Sequence, residues 1–202
     1  MQLAERTPIM PKRFVRSVPI ALVTALVLAL SIPALAATKT IKKSTGDISK
    51  GIPDEQAISQ KLVISKAGKI KDVNVIVAVD HVTVGDISLA LQSPSGRIVH
   101  LSSGNGKDGN GYGSGITDGC ASTATFDDEG AEDVADYNGV DHTFSGGYKP
   151  ESWFVNNSSL GLAQLDGTKM KGTWKLIVMD TEEFAGGALQ CFKLKITYQT
   201  PS

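Results

Sequence analysis

The chain has 202 residues, with 20 Lys+Arg against 21 Asp+Glu and a formal net charge of −1. That balance argues against nucleic acid as a partner. With 21 glycines and only 6% aromatic residues, the composition suits one turn-rich domain with a single core.

Lys12, Arg13 and Arg16 precede the largely apolar run Ile20–Ile32, which is followed by Pro33 and the small-residue signal Ala34–Leu35–Ala36. The run is too short to span a bilayer comfortably, and an A-x-A ending is what signal peptidase reads. Residues 1–36 are therefore expected to be a secretory signal peptide cleaved after Ala36, with Met10 an alternative start. Cleavage leaves 16 Lys+Arg against 20 Asp+Glu in 166 residues, a net charge of minus four, and no membrane segment in the mature form.

Residues 37–50 lack periodicity and read as a linker, so the domain itself is expected over 51–200. "KLVIS" is followed by Val73–Val82, where Val73, Val75, Val77 and Val79 share one strand face and Asn74, Ile76, Ala78 and Asp80 the other. Apolar residues on both faces mark an interior strand. Ile87–Leu91 and Arg97–Leu101 flank "QSPSG", where Pro94 presets φ and Gly96 relieves the exit of a hairpin. Residues 102–160 read mostly as loop, a length that suggests binding or mobility.

Two further strands follow. In "TWKLIVMD", Trp174 shares a face with Leu176 and Val178. In the last strand Phe192, Leu194, Ile196 and Tyr198 face one way, and Cys191, Lys193, Lys195 and Thr197 the other. No segment shows an apolar stripe of helical period, so the expected fold is an all-β sandwich. Cys120 and Cys191 fall in the exported part. An oxidising compartment favours joining them, the alternative being two free thiols.

Hydrolytic chemistry finds little support. There is no G-x-S-x-G elbow, and His81, His100 and His142 are widely spaced without an H-E-x-x-H pair. The glycine-rich run Gly104–Gly115 departs from both the calcium-binding nonapeptide repeat and the EF-hand loop, and reads as a flexible surface loop. Trp153, Trp174, Tyr112, Tyr137 and Tyr148 are candidates for a sugar-stacking platform, against which Trp174 has a core-facing pattern. Asn156 and Asn157 are glycosylation acceptors only in a glycosylating host.

The stretch Thr125–Asp136 gathers six carboxylates in twelve residues. Calcium takes six to eight oxygen ligands, so Asp127, Asp128 and Glu129 can supply several at once. Asp80, Asp86 and Asp180 stand at strand ends from which they could converge. The alternative, a solvated anionic rim with aspartates capping turns, fits the composition equally well.

"IPD" at Ile52–Asp54, "VNVIVAVDHVTVGDISLALQSPSGRIVHL" at Val73–Leu101, "FDDEG" at Phe126–Gly130, "LDGTKMKGTWKLIVMD" at Leu165–Asp180 and "GGALQCFKLKI" at Gly186–Ile196 together resemble the P domain, or Homo B domain. This is the module that follows the catalytic domain in kexin- and furin-type subtilisin-like proprotein convertases and ends many bacterial secreted proteases. The resemblance implies a jelly-roll-like sandwich of about eight or nine strands that cleaves no peptide itself. It also implies a stabilising role towards an adjoining protease, and calcium held in loops, with Asp127 and Asp128 the favoured ligands.

Phe192 stands where the family commonly has Trp, and Ile87 replaces the usual Leu. No segment of the subtilisin triad occurs in the sequence. The expectation is an exported, non-catalytic, calcium-binding P domain. Its partner would be a subtilisin-like serine protease or another secreted protein, with a carbohydrate-binding module or a protease fragment as alternatives.

Overall fold

The computed structural model describes residues 37–113, 118–136, 143–151 and 161–200. The proposed signal peptide, Tyr137, His142, Trp153, Asn156 and Asn157 lie outside the described residues. Alternation of valines along Lys69–His81 produces the central strand. Val73, Val75, Val77 and Val79 are all buried on one face, while Asp72, Asn74, Ile76, Ala78 and Asp80 occupy the other.

In chain order the strands are β1 (Thr38–Ser44), β2 (Lys50–Ile52), β3 (Ala57–Ile64), β4 (Lys69–His81), β5 (Ile87–Gln92) and β6 (Ile98–Ser103). They continue with β7 (Gly111–Tyr112), β8 (Ala124–Phe126), β9 (Glu132–Asp133), β10 (Gly147–Lys149), β11 (Gly172–Asp180) and β12 (Gly187–Gln199). One sheet runs β1-β12-β4-β8-β10-β9, with β2 also on β12 and β7 also on β4. The other runs β3-β11-β5-β6. The all-β sandwich is thus as expected. Among the described residues the twelve strands exceed the eight or nine anticipated because five of them have three residues or fewer.

Between the sheets, Leu189, Phe192, Leu194 and Ile196 of β12 meet the β4 valines in antiparallel register and face Leu176, Val178, Leu89, Leu91, Val99 and Leu101 of the second sheet. Trp174 is fully buried, and its indole N–H donates to the Met170 carbonyl at 2.9 Å. The Ser93–Arg97 hairpin closes as its residues require: Gly96 N–H donates to Ser93 O at 2.9 Å, and Gly96 takes φ +88.

Two expectations need correction. Residues 37–50 are no free linker, because β1 pairs with β12 from Thr38↔Gln199 to Ser44↔Lys193. As an edge strand it buries little beyond part of Ile41, so its alternation was too weak to register. Nor is the glycine-rich run wholly a surface loop over its described residues, 104–113. Gly106, Gly109, Gly111 and Gly113 are buried, and a Cβ on Gly111 would come within 2.0 Å of the Val79 carbonyl oxygen. Glycine is needed there so that the backbone can lie directly on β4.

The region 102–160 likewise contributes residues to the core. Tyr112 stacks on Phe144 at 4.7 Å between ring centroids, Phe144 meets Tyr148 edge-on at 5.1 Å, and Phe126 lies 5.9 Å from Tyr112. The buried Tyr112 hydroxyl donates to Ser102 Oγ at 2.8 Å, and burial raises its pKa. Tyr112, Tyr148 and Trp174 are therefore core residues, not a sugar platform.

Cys120 and Cys191 form a disulfide across a sequence separation of 71 residues, fastening the 3-10 turn Gly119–Ala121 to the outer face of β12. Closing a loop of that length stabilises the fold by up to about 4 kcal/mol in the chain-entropy picture. Replacing both cysteines by serine should lower the melting temperature by roughly 10 °C, read by calorimetry under non-reducing conditions. An unchanged melting temperature would mean that the bond constrains nothing.

Candidate metal centre

Phe126 is buried opposite Val75, so β8 delivers the next residue, Asp127, to the edge of the core. Its N–H donates to Tyr148 O at 2.9 Å. The chain then turns: Gly130 N–H donates to Asp127 O at 2.8 Å, and Glu129 N–H to Asp127 Oδ1 at 3.0 Å. This side-chain-to-backbone turn folds Glu129 back over Asp127. Asp72 lies on the outward face of β4, two residues from Asn74. Carboxylate oxygens of Asp72, Asp127 and Glu129 fall within 4.8 Å of one another.

Asn74 completes the arrangement. Its amide Nδ2 donates to Asp127 Oδ2, its side chain is only 3% exposed, and its Oδ1 is buried without a hydrogen-bond partner. A buried amide oxygen left unpaired costs about 1–3 kcal/mol unless something donates to it or is coordinated by it. Three carboxylates and one orphaned amide oxygen are all hard oxygen donors, the ligand types of calcium or magnesium and not of soft-ligand metals.

Asp128, the neighbour in sequence, points elsewhere. Its Oδ1 accepts the Leu162 N–H at 2.9 Å and its Oδ2 the Ala163 N–H, capping the 3-10 turn Gly161–Leu165. Gly161 leaves room for this carboxylate, since a Cβ there would meet Asp128 Oδ1 at 2.2 Å. Within "FDDE", then, Asp127 and Glu129 join the trio while Asp128 anchors the loop from behind.

Asp80, Asp86 and Asp180 are not brought to this place. Eight residues of β4 separate Asp72 from Asp80, about 26 Å of strand. Asp180 is fully buried and accepts from His81 Nε2 at 3.1 Å, while His81 Nδ1 lies 2.6 Å from Thr83 O. Asp180 Oδ1 also accepts the Glu182 N–H at 3.3 Å. Both ring nitrogens of His81 are thus engaged. This end of the sandwich is a structural clasp, completed by Asp54 of the "IPD" motif, whose carboxylate accepts the N–H groups of Phe184 and Ala185 at 3.2 and 3.3 Å.

Electrostatics distinguish the trio's surroundings. Burial and the charge of Asp127 push the Asp72 carboxyl up, with Lys195 opposing. Burial raises Asp128 against the pull of its two backbone N–H donors. Its contact with Asp127 raises Glu129, and burial followed by the charges of Asp72 and Asp128 raises Asp166. Four neighbouring carboxyls therefore resist ionisation.

Asp72, Asn74 and Asp166 were missed from sequence. The available signal was the alternation "KDVNV", which places Asp72 and Asn74 on one face of an interior strand.

A sequence profile of the proprotein convertase P-domain matches residues 70–196, more than half of the chain. The chain belongs to the proprotein convertase P-domain family. Comparison with curated proteins finds no match. Among solved structures, this P domain resembles the serine protease of Aeromonas sobria at 16% identity and TM-score 0.51, over 85% of this chain and 29% of that one. It also resembles the same protease (ASP) in complex with the chaperone ORF2, at 16% identity and TM-score 0.51, over 83% of this chain and 28% of that one. Likeness at this identity is one of fold. The P domain spans less than a third of the length of those chains.

Carboxyls whose folded pKa lies above the unfolded value stabilise the fold below that unfolded value, near 3.8 for Asp and 4.5 for Glu, and lose that contribution as pH rises through the folded pKa. In chelator, the P domain should therefore lose stability as pH rises from about 4 towards neutrality through Asp72, Asp128, Glu129 and Asp166. Urea unfolding across this range should show a shallower decline for Asp72→Asn. Identical slopes for variant and parent would refute the assignment.

Proposed function

We propose that this chain is a secreted, non-catalytic P domain. In this reading a bound calcium ion fixes the Asp127–Gly130 turn, and the stabilised sandwich binds or supports a partner, a subtilisin-like serine protease in the first instance. The orphaned Oδ1 of Asn74 is the observation that carries the calcium reading, because a purely solvated acidic rim gives no reason to bury an amide oxygen beside three carboxylates. Asp72, Asp127, Glu129 and Asn74 would hold the ion, with water filling the remaining positions. Calcium is favoured over magnesium because its coordination is looser and accepts more ligands.

The partner reading rests on the family, a non-catalytic module associated with proteases. Export rests on the residue 1–36 signal pattern, and the disulfide fits an oxidising compartment. The carbohydrate-binding alternative loses support from the burial of Tyr112, Tyr148 and Trp174.

Saturating calcium, at about a hundred times its dissociation constant, adds roughly 2.7 kcal/mol of stability, several degrees in melting temperature. Thermal unfolding of the mature protein with chelator and with calcium tests this. Asp127→Asn should abolish the rise. Asp128→Asn should instead lower the melting temperature in chelator, by losing two charge-assisted caps, while keeping the response to calcium. A calcium response that survives in Asp127→Asn and disappears in Asp128→Asn would reverse the assignment.

A further inference from the structure

The outer face of β12 carries Cys191, Lys193, Lys195 and Thr197 in alternation, and the first two hold the segment leading to the acidic turn. Cys191 is bonded to Cys120, and Lys193 Nζ donates to the Cys120 carbonyl at 2.7 Å. Lys195 occupies the next position along this face. In the antiparallel register it stands opposite Asn74 of β4, with the Thr197↔Asp72 pair one step further on. On its other side it stands opposite Lys42 of β1. Lys195 is half-buried, and two lysines paired directly across strands repel, which favours a Lys195 side chain turned from Lys42 towards the acidic side of its row. Asp72 is thereby a diagonal cross-strand neighbour of Lys195, within reach of a long side chain.

We propose that Lys195 is the resident counter-charge of the calcium site: it neutralises the Asp72–Asn74–Asp127 group when no ion is bound and lowers the site's affinity for a divalent ion. This rests on the calcium reading given above. The same side chain then has opposite effects on the two states. It supports the ion-free fold by balancing clustered carboxylates, and it repels an incoming cation with twice the charge of a monovalent one. Calcium affinity would thereby be set so that the fold does not depend on continuous occupancy.

The test is calorimetric titration of the mature protein with calcium chloride, together with thermal unfolding in chelator. Lys195→Met should bind calcium about tenfold more tightly than the parent, the order expected for removing one charge near a divalent ion at a partly solvated site. It should also melt at a lower temperature in chelator. Lys195→Arg should behave as the parent, and Lys61→Met on β3 of the other sheet should leave affinity within twofold. A lysine with a merely structural role would lower stability and affinity together when removed. If the methionine variant does not fold, Lys195→Gln serves the same measurement.

Calcium uptake by the parent with equal affinity in Lys195→Met would overturn the role of Lys195 and leave the site standing. Absence of uptake by both proteins would overturn the site and this inference with it. Uptake by Lys195→Met alone would support the inference in its strongest form.

Discussion

Strand β4 has to satisfy two faces at once, and most of the molecule follows from that constraint. Its inward valines are the middle of the core, paired with β12 and covered by the second sheet. Its outward face is too polar to be core and too central to be open to solvent. The chain closes it in with β7, whose Gly111 pairs closely with Asp80 in the same sheet, and with the turn tied down by Cys120. At the opposite end of the strand it places Asp127 and Glu129 over Asp72 and Asn74. Each cover uses a different means, respectively close backbone contact, a covalent bond and charge.

The last of these is the one that does not close by itself. A backbone carbonyl on a backbone N–H is complete, and so is a disulfide. Three carboxylates beside an unpaired amide oxygen are not: burial raises the Asp72 carboxyl, and the contact with Asp127 raises that of Glu129. The chain partly offsets this crowding of like charge with Lys195 from the adjacent strand, while Asp128, which could have added a fourth like charge, is turned away into backbone N–H donors. One residue of the acidic run is thus structural support and its two neighbours are ligand candidates, an alternation imposed by the turn.

At the other end of β4, a similar supply of acids is used differently. His81 and Asp180 form a buried pair, and Asp54 accepts two N–H groups of the β11–β12 connection. This arrangement holds Phe184 at φ +80 with 92% of its surface exposed. The aspartate of "IPD" and the aspartate closing β11 thereby acquire a physical reason: they fasten loops at one end of the sandwich, remote from the acidic turn.

Much of this was legible in the amino-acid order. Period-two alternation located β4, β11 and β12 and the faces of Trp174 and Cys191, because a strand between two layers has to alternate. "QSPSG" specified a hairpin through φ preferences that are local, and the ordered motifs were enough for the family. Strands of two or three residues such as β7 to β10 were invisible, since they exist only through partners far along the chain. So was β1, whose exposed lysines carry no pattern until β12 lies beside it.

The division at the site has the same origin. The sequence alone established that Asp127, Asp128 and Glu129 are crowded together, because crowding within a tripeptide needs no fold. Only the tertiary structure decided that Asp128 faces away, that Asp80, Asp86 and Asp180 belong to another end, and that Asp72, Asn74 and Lys195 are the true neighbours. Coordination and charge compensation depend on distance through space, and β-pairing brings together residues separated by tens of positions that no local pattern connects.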